Sequence, residues 1–196
     1  QGGGFMWPIL IALLFGLAII GERAYSLINS SSNTNQFFDD VKTVYDDSGK
    51  EQAIELCENT PGPVASIFYA GLSKMEKTKE EIEKAVQNAG GLEMAFLEKN
   101  MIWINSVITI APMLGFTGTV VGMIKAFEDI KMANDISPAV VAGGISQALL
   151  TTAFGLIVAM IMQVAQNFFV SMIDKLILDM EEQSIKIVEY LHSSKK

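Results

Sequence analysis

The stretch APMLGFTGTVVGMIKAF, residues 111–127, decides the fold, because it is apolar enough to lie in a membrane. It carries no ionisable group before Lys125, yet it contains three glycines, two threonines and Pro112. A helix that only anchors a chain in lipid needs neither small nor hydroxylated residues. The composition therefore indicates a helix that packs closely against a neighbouring helix or presents its hydroxyl groups to a hydrogen-bonding partner.

The quoted stretch overlaps an uncharged block, Asn100–Ile124, and the chain has two further uncharged blocks, Phe5–Gly21 and Ile136–Ile173. A span needs about 20 apolar residues to cross about 30 Å of hydrocarbon. The block Phe5–Gly21 is short, but Ala24–Ile28 can extend it beyond Glu22–Arg23. It has no basic region before it, which favours a retained helix over a signal peptide. The sequence predicts an all-α polytopic membrane protein with three transmembrane helices, of which helices 2 and 3 are long and extend into the cytoplasm.

Basic residues set the predicted orientation, since the short loops next to transmembrane helices carry more Lys and Arg on the cytoplasmic side. The tail holds four lysines, whereas the connector between spans two and three holds only Lys125 and Lys131. The predicted segments are residues 1–28 (first transmembrane helix, amino terminus outside), 29–99 (helical cytoplasmic insert), 100–134 (second transmembrane helix), 135–137 (external turn), 138–170 (third transmembrane helix) and 171–196 (cytoplasmic helical tail).

The insert and the tail carry helical patterns of their own. Thr78-Lys-Glu-Glu81 is a capping box that predicts a helix start, from which a helix can run into span two with a weak point at Gly90-Gly91. An apolar stripe continues from Phe168 to Leu191 at helical spacing. This stripe needs a partner helix, which either this chain or a ring of subunits can supply.

Several function classes are disfavoured by composition. The net charge is −8, which argues against nucleic acid as a partner, since phosphate binding needs a basic face. One cysteine, Cys57, and one histidine, His192, are too few for a zinc centre or a Cys–His nucleophile. We expect no enzyme activity, no cofactor and no metal site.

Counting from the turn predicts that two hydroxyl groups lie at one level. Thr119 lies fifteen residues before Asn134, and Thr152 lies fifteen residues after Ser137. At 1.5 Å per residue both lie about 22 Å below the turn. The same count places Gln147 near the level of Lys125. A threonine hydroxyl donates and accepts, so the pair can ligate an ion, a water or another chain's carboxylate, although a threonine in a span also commonly bonds its own helix.

Small residues form a stripe on each of these helices and predict that the two approach closely. The stripes are Ala111, Gly115, Gly118, Thr119 and Gly122 on span two, and Gly144, Ala148, Thr152, Gly155 and Ala159 on span three. Pro112 lacks an amide proton and can kink span two. Thr151 lies one turn from Gln147 on the same face, where the two side chains form either an outer polar ledge or hydrogen bonds between helices.

The first stretch together with GGISQALLTTAFGLIVAM, residues 143–160, resembles spans two and three of the ExbB/TolQ/MotA proton-channel family. PGPVASIFYAGL, residues 61–72, is more similar to ExbB or TolQ than to MotA. The resemblance implies a stator of the bacterial inner membrane, with a pentameric ring around a single-span ExbD- or TolR-like partner. The partner's membrane aspartate would carry the proton, and the family's pore threonines fall on Thr119 and Thr152.

The resemblance also implies that Gly115, Gly118, Gly122, Ala148, Gly155 and Pro112 pack beside the pore, and that Gln147 and Thr151 line it. Relatives commonly have Glu where this chain has Gln147, and Gln does not titrate, so the partner's carboxylate would be the titrating group there. The expected function is conversion of proton-motive force into mechanical work on the cell envelope or on outer-membrane transport. The alternatives are a non-conducting membrane scaffold and a sodium-driven member of the family.

Overall fold

The computed structural model describes residues 4–30, 34–133 and 138–193, with side chains except at 133 and 138–141. Of the described residues 92% are helical, and none of them lies in a strand, which confirms the all-α prediction. The helices are α1 (Met6–Ser30), α2 (Thr34–Ser48), α3 (Lys50–Asn59), α4 (Pro63–Ser73), α5 (Lys79–Leu97), α6 (Met101–Ala133) and α7 (Pro138–Ser193).

Within the described ranges, three helical stretches are long and apolar enough to cross a membrane, as the sequence predicts. They are Met6–Ser30, Lys79–Met132 and Ala142–Ser193. The second stretch includes α5 and α6, and its uncharged part, Asn100–Ile124, falls almost entirely in α6. The turn predicted at 135–137, with Ser137 before the third span, lies outside the described residues.

The chain divides into two compact units. Unit 1 consists of the amino-terminal part up to Arg23 together with Asn100–Phe168, and it therefore contains most of the three uncharged blocks. Unit 2 consists of Ala24–Lys99 together with the chain from Phe169 onward. The helices α1 and α7 pass from one unit into the other without a break, whereas the third crossing, after Lys99, falls between α5 and α6.

The helices of unit 2 begin where the sequence has cap and turn residues. Gly62 adopts φ +129, a conformation that L side chains rarely adopt, and Pro63 then opens α4. At α5 the predicted capping box is present. The N–H of Glu81 donates to Thr78 Oγ1 at 3.3 Å, and the N–H of Thr78 donates to Glu81 Oε2 at 3.1 Å. The bond from the Thr78 N–H to the Glu81 carboxylate is the main cause that lowers the pKa of this carboxyl group.

The apolar stripe at the end of α7 packs inside unit 2, so this chain itself supplies the partner helices. A side chain at Gly71 of α4 would meet Ile187 and Leu191, and Tyr190 packs edge-on against Phe38 and Tyr45 of α2. Seven buried residues recur every three or four positions, and Val188 is buried beside one of them; the seven are Phe169, Ile173, Leu176, Met180, Gln183, Ile187 and Leu191. Burial of each large apolar side chain stabilises the unit by about 1.5–3 kcal/mol.

The sequence predicts that the helix starting at Thr78 can run into span two with a weak point at Gly90-Gly91, but α5 ends at Leu97 and α6 begins at Met101. Gly90 and Gly91 lie inside α5, and the break falls at residues 98–100 instead. There Asn100 adopts φ +65, in the left-handed region that Asn tolerates better than most residues. A glycine pair lowers helix stability but leaves its backbone hydrogen bonds intact, whereas a left-handed residue ends the helix geometrically.

Candidate functional site at the contact of α6 and α7

Within unit 1, the α6 and α7 backbones approach so closely that glycine is required at several positions. A Cβ built on Gly155 would lie 2.5 Å from the carbonyl oxygen of Ala111, and one on Gly115 would lie 3.0 Å from the Cα of Thr152. Farther along the contact, a Cβ on Gly144 would lie 2.5 Å from the Cβ of Ala126. The close approach that the small-residue stripes predict is therefore present.

Gly122 and Ala148 belong to the same contact, since a Cβ on Gly122 would lie 3.0 Å from the Cβ of Ala148. The helix α6 runs through Pro112 without ending. The contact has an antiparallel register in which residue numbers rise on α6 as they fall on α7. This register brings Thr119 opposite Ala148 and Thr152.

Thr119 and Thr152 meet at the same level, as the count from the turn predicts. Their hydroxyl oxygens lie within direct hydrogen-bonding contact. Thr152 Oγ1 also lies 2.9 Å from the carbonyl oxygen of Gly115, across the helix contact. Thr119 Oγ1 lies 3.2 Å from the carbonyl oxygens of both Gly115 and Ala148. Both side chains are half-buried.

This pair has more acceptors than protons. Each hydroxyl supplies one proton, while the two carbonyl oxygens and the two hydroxyl oxygens all offer lone pairs within reach. When Thr152 donates to Gly115, Thr119 can donate to Ala148 or to Thr152. The pair therefore has alternative donor arrangements that differ only in rotation about a C–O bond, which leaves an oxygen lone pair available for an incoming proton donor.

The sequence predicts that Thr151 and Gln147 form either an outer polar ledge or hydrogen bonds between helices, and this role stays a prediction. The two side chains differ in exposure. Thr151 is 2% exposed, its hydroxyl donates to the carbonyl oxygen of Gln147 at 3.0 Å, and its methyl group faces Gly118. Gln147 has an exposed side chain. Both residues, together with Lys125, line a small cleft of about 120 Å³. The remaining lining residues are Gly4, Phe5, Gly118, Val121, Gly122 and Ala148.

The parts of α6 and α7 that carry the threonine pair contain no charged side chain. Residues 100–124 and 136–173 contain no acidic or basic side chain. Among the described residues, no group of three His, Cys, Asp or Glu side chains is placed to hold a metal ion. The chemistry that this wall offers is hydrogen bonding by hydroxyl and carbonyl oxygens in an apolar setting, where such bonds are electrostatically stronger than in water.

Two contacts of unit 1 go beyond what the sequence predicts. Arg23, next to the end of the first uncharged block, is 2% exposed and forms two bonds to the Glu22 carboxylate, of 2.7 and 2.5 Å. Asn100 also donates to Glu22, at 3.2 Å. Gly16 of α1 faces Met162, whose sulfur would lie 2.6 Å from an added Cβ. A single glycine in an apolar helix was the only sequence signal for that contact.

The family model and the individual relatives that match this chain indicate the same family. The model of the MotA/TolQ/ExbB proton channel family matches residues 59–182. The putative biopolymer transport protein ExbB-like 3 of Synechocystis is 29% identical over 188 residues, which is 95% of this chain and 90% of that protein. ExbB of Xanthomonas campestris is 32% identical, with 83% of this chain and 72% of that protein covered. TolQ of Haemophilus influenzae is 28% identical, with 81% and 76% covered. With three membrane-length apolar helices and a family match over most of its length, the chain is a polytopic membrane protein that belongs to the MotA/TolQ/ExbB proton channel family.

Proposed function

We propose that this chain is the proton-channel subunit of a stator motor in the inner membrane. In this proposal several copies, five by family resemblance, form a ring around a single-span ExbD- or TolR-like partner. The complex converts proton-motive force into mechanical work on the cell envelope or on outer-membrane transport. Residues 29–99 and 171–196 lie in the cytoplasm, and the amino terminus and the 135–137 turn lie in the periplasm.

The observation that carries the proposal is the threonine pair. Thr119 and Thr152 lie side by side in an uncharged part of two membrane-length helices, and their hydroxyls have alternative donor arrangements. A carboxylic acid of the partner that reaches this level can donate to one of these oxygens. After it loses its proton, the carboxylate can accept from the same hydroxyl. The pair is therefore suited to either protonation state of one carboxyl group.

The neutral wall supports the same role. A charged side chain inside a span costs at least about 2.5–3.5 kcal/mol, so an uncharged wall is cheaper to insert. With Gln147 in place of Glu, this chain offers no titrating group between Asn100 and Ile124 or between Ile136 and Ile173. The proton carrier would then be the partner's carboxylate, and the ring would supply hydrogen bonds only. Gln147 and Thr151 line the outer part of the path in this proposal.

The test removes one hydroxyl at a time while it keeps side-chain shape. We expect Thr119→Val and Thr152→Val each to reduce proton flux at least tenfold in proteoliposomes that contain the chain and its partner. Thr117→Val is the matched control, because the Thr117 hydroxyl is exposed and donates only to Met113 of its own helix, at 2.8 Å. Co-purification of the partner with each variant checks that assembly is intact.

A non-conducting scaffold is the alternative, and one observation favours it. The glycines are explained by helix packing, and both hydroxyls already have partners within the chain. The scaffold predicts that Thr119→Val and Thr152→Val behave like Thr117→Val and leave envelope function intact, an outcome that would refute the channel. A sodium-driven channel is distinguished by replacing sodium with potassium at fixed pH, since only that channel would lose its flux.

A further inference from the structure

An open apolar groove runs between α5 and the C-terminal part of α7, inside unit 2. It consists of two adjoining hollows of about 280 and 440 Å³, which share Val86, Gln87, Ser184 and Ile185. Val86 and Met180 form a buried floor, and Ile185 at the edge is 62% exposed. The other lining residues are Ile67, Lys79, Glu83, Gly90, Gly91, Met94, Ile177, Glu181, Val188 and Glu189.

No close contact within the described part of the chain requires the two glycines in this lining. Glycine inside a helix is less stable than alanine, and α5 carries Gly90 and Gly91 in succession. At Gly115, Gly144 and Gly155 of unit 1 the absence of a side chain is required by close contacts, but here the nearest atom to a Cβ on Gly90 is the Met180 methyl carbon, at 4.0 Å. A Cβ on Gly91 would meet nothing within 4 Å. The glycines widen the groove, and no close contact with the described residues requires either of them.

The length of the groove fits a short helix. Its lining runs from Lys79 to Met94 on α5 and from Ile177 to Glu189 on α7. At 1.5 Å per residue these stretches are about 22 and 18 Å long, which corresponds to three or four helical turns of an occupant. A helix that lies in such a groove places apolar residues at i, i+3 or i+4, and i+7 against the floor.

Charge determines the kind of occupant. The lining contains three glutamates, Glu83, Glu181 and Glu189, and one lysine, Lys79, which lies 3.8 Å from Glu83. Unit 2 as a whole holds 18 acidic and 11 basic residues, so it carries seven of the eight net negative charges of the chain. A second copy of this chain, or an anionic lipid surface, would bring a like charge to the groove. A cationic segment would be attracted.

We propose that this groove is a docking site for a cationic amphipathic helix of another protein, about three to four turns long. Its apolar face would cover Val86, Met180 and Ile185. Its Lys or Arg side chains would pair with Glu181 and Glu189 at the edge. This proposal does not depend on proton conduction, because the binding it describes occurs in unit 2.

The test uses the full chain in an uncharged detergent and two labelled 14-residue peptides. Both peptides carry leucines at i, i+3, i+4 and i+7, and the remaining positions are mainly lysine in one and mainly glutamate in the other. Fluorescence anisotropy, corrected for binding to empty micelles, should show at least tenfold tighter binding of the lysine peptide at low salt. We expect this binding to weaken as salt is added.

Variants locate the binding. Gly91→Leu adds a side chain to the lining of the groove, with no atom within 4 Å of its Cβ, and should weaken binding at least tenfold. Gly21→Leu, at another glycine with nothing within 4 Å, should leave binding unchanged. Glu181→Gln combined with Glu189→Gln should weaken binding several-fold and reduce its salt dependence. A photo-crosslinking residue in place of the exposed Gln87 should capture the lysine peptide.

Three outcomes would overturn the proposal. They are equal binding of the two peptides, unchanged binding by the Gly91→Leu variant, and crosslinking from position 87 to a second copy of the chain in place of the peptide. The proton flux of the Gly91→Leu variant with its single-span partner is measured in parallel. Loss of peptide binding with normal flux would support the docking site and leave the channel proposal standing, so the two proposals succeed or fail separately.

Discussion

At the residue scale, the threonine pair shows how a few side-chain atoms can give an apolar contact a chemical property. Valine at position 119 or 152 would fill the same space and would pack against the same glycines. The hydroxyls add two protons that several oxygens can accept. Because the difference is confined to hydrogen bonding, a threonine-to-valine change separates proton handling from helix packing more cleanly than a change at any of the glycines.

Cys57 supports a prediction about pH. Burial raises the pKa of its thiol to about 12, from an ordinary value of 9.0. The folded state therefore holds this proton more tightly than the unfolded state, so the free energy of unfolding is unaffected below about pH 9 and falls as the pH rises from 9 toward 12. The contribution from this one group has a slope of at most about 1.4 kcal/mol per pH unit.

The measurement is the melting temperature of the detergent-solubilised protein between pH 8 and 11, compared with Cys57→Ala. Lysines and tyrosines titrate in the same range, so the informative quantity is the difference between the two proteins. We expect the wild type to lose stability more steeply than the variant above pH 9. Parallel curves would contradict the prediction, as would rapid alkylation of the folded protein at pH 8, since a buried protonated thiol is unreactive.

At the element scale, the α6–α7 contact depends on glycine at defined positions. A side chain at Gly155 would meet the carbonyl oxygen of Ala111, which belongs to the α6 backbone and cannot rotate away. We expect Gly155→Ala to destabilise the protein by about 1–3 kcal/mol, because the two helices must separate to admit the methyl group. Thermal unfolding in detergent is the measurement, with proton flux as a second readout.

The matched control is Gly143→Ala on the same helix. A Cβ on Gly143 has no atom within 4 Å, and alanine favours helix over glycine, so this variant should be as stable as the wild type or slightly more stable. Equal stability of the Gly155→Ala and Gly143→Ala variants would show that the close approach of α6 to α7 is not maintained in the folded protein.

At the scale of the whole molecule, charge is divided between the two units. Most of the three uncharged blocks lie in unit 1, whereas unit 2 is strongly acidic. The two units are connected three times, and only the connection after Lys99 interrupts the helical backbone. Asn100 occupies this point with φ +65 and donates to Glu22 at 3.2 Å. A left-handed residue is thus placed where α5 of unit 2 gives way to α6 of unit 1.

This geometry predicts a difference between two substitutions at position 100. Both Asn100→Gly and Asn100→Val remove the bond to Glu22, but only valine must adopt a conformation that costs L residues about 1–2 kcal/mol. We expect the valine variant to be less stable than the glycine variant by about that amount, as measured by thermal unfolding of the full chain in detergent. Equal stabilities would mean that the backbone at this crossing is free to leave the left-handed region.

Much of the fold was predictable because the signals are local. Uncharged blocks of membrane length predict the spans, and the Thr78–Glu81 pattern predicts a helix start, since each depends on neighbouring residues only. Even the common level of Thr119 and Thr152 follows from one turn and a fixed rise per residue. The packing of the α7 stripe within the chain was one of two options, because periodicity shows that a face is buried but does not identify what covers it.

The sequence by itself determined the helical class, the number of membrane-length spans and the pair of hydroxyls that share a level, because helix periodicity and hydropathy are properties of adjacent residues. Only the tertiary structure decided that Arg23 is buried, that Thr151 faces Gly118 while Gln147 stays exposed, and that the break falls at residues 98–100 and not at Gly90-Gly91. These outcomes depend on contacts between residues far apart in the chain, whose energies outweigh local preference.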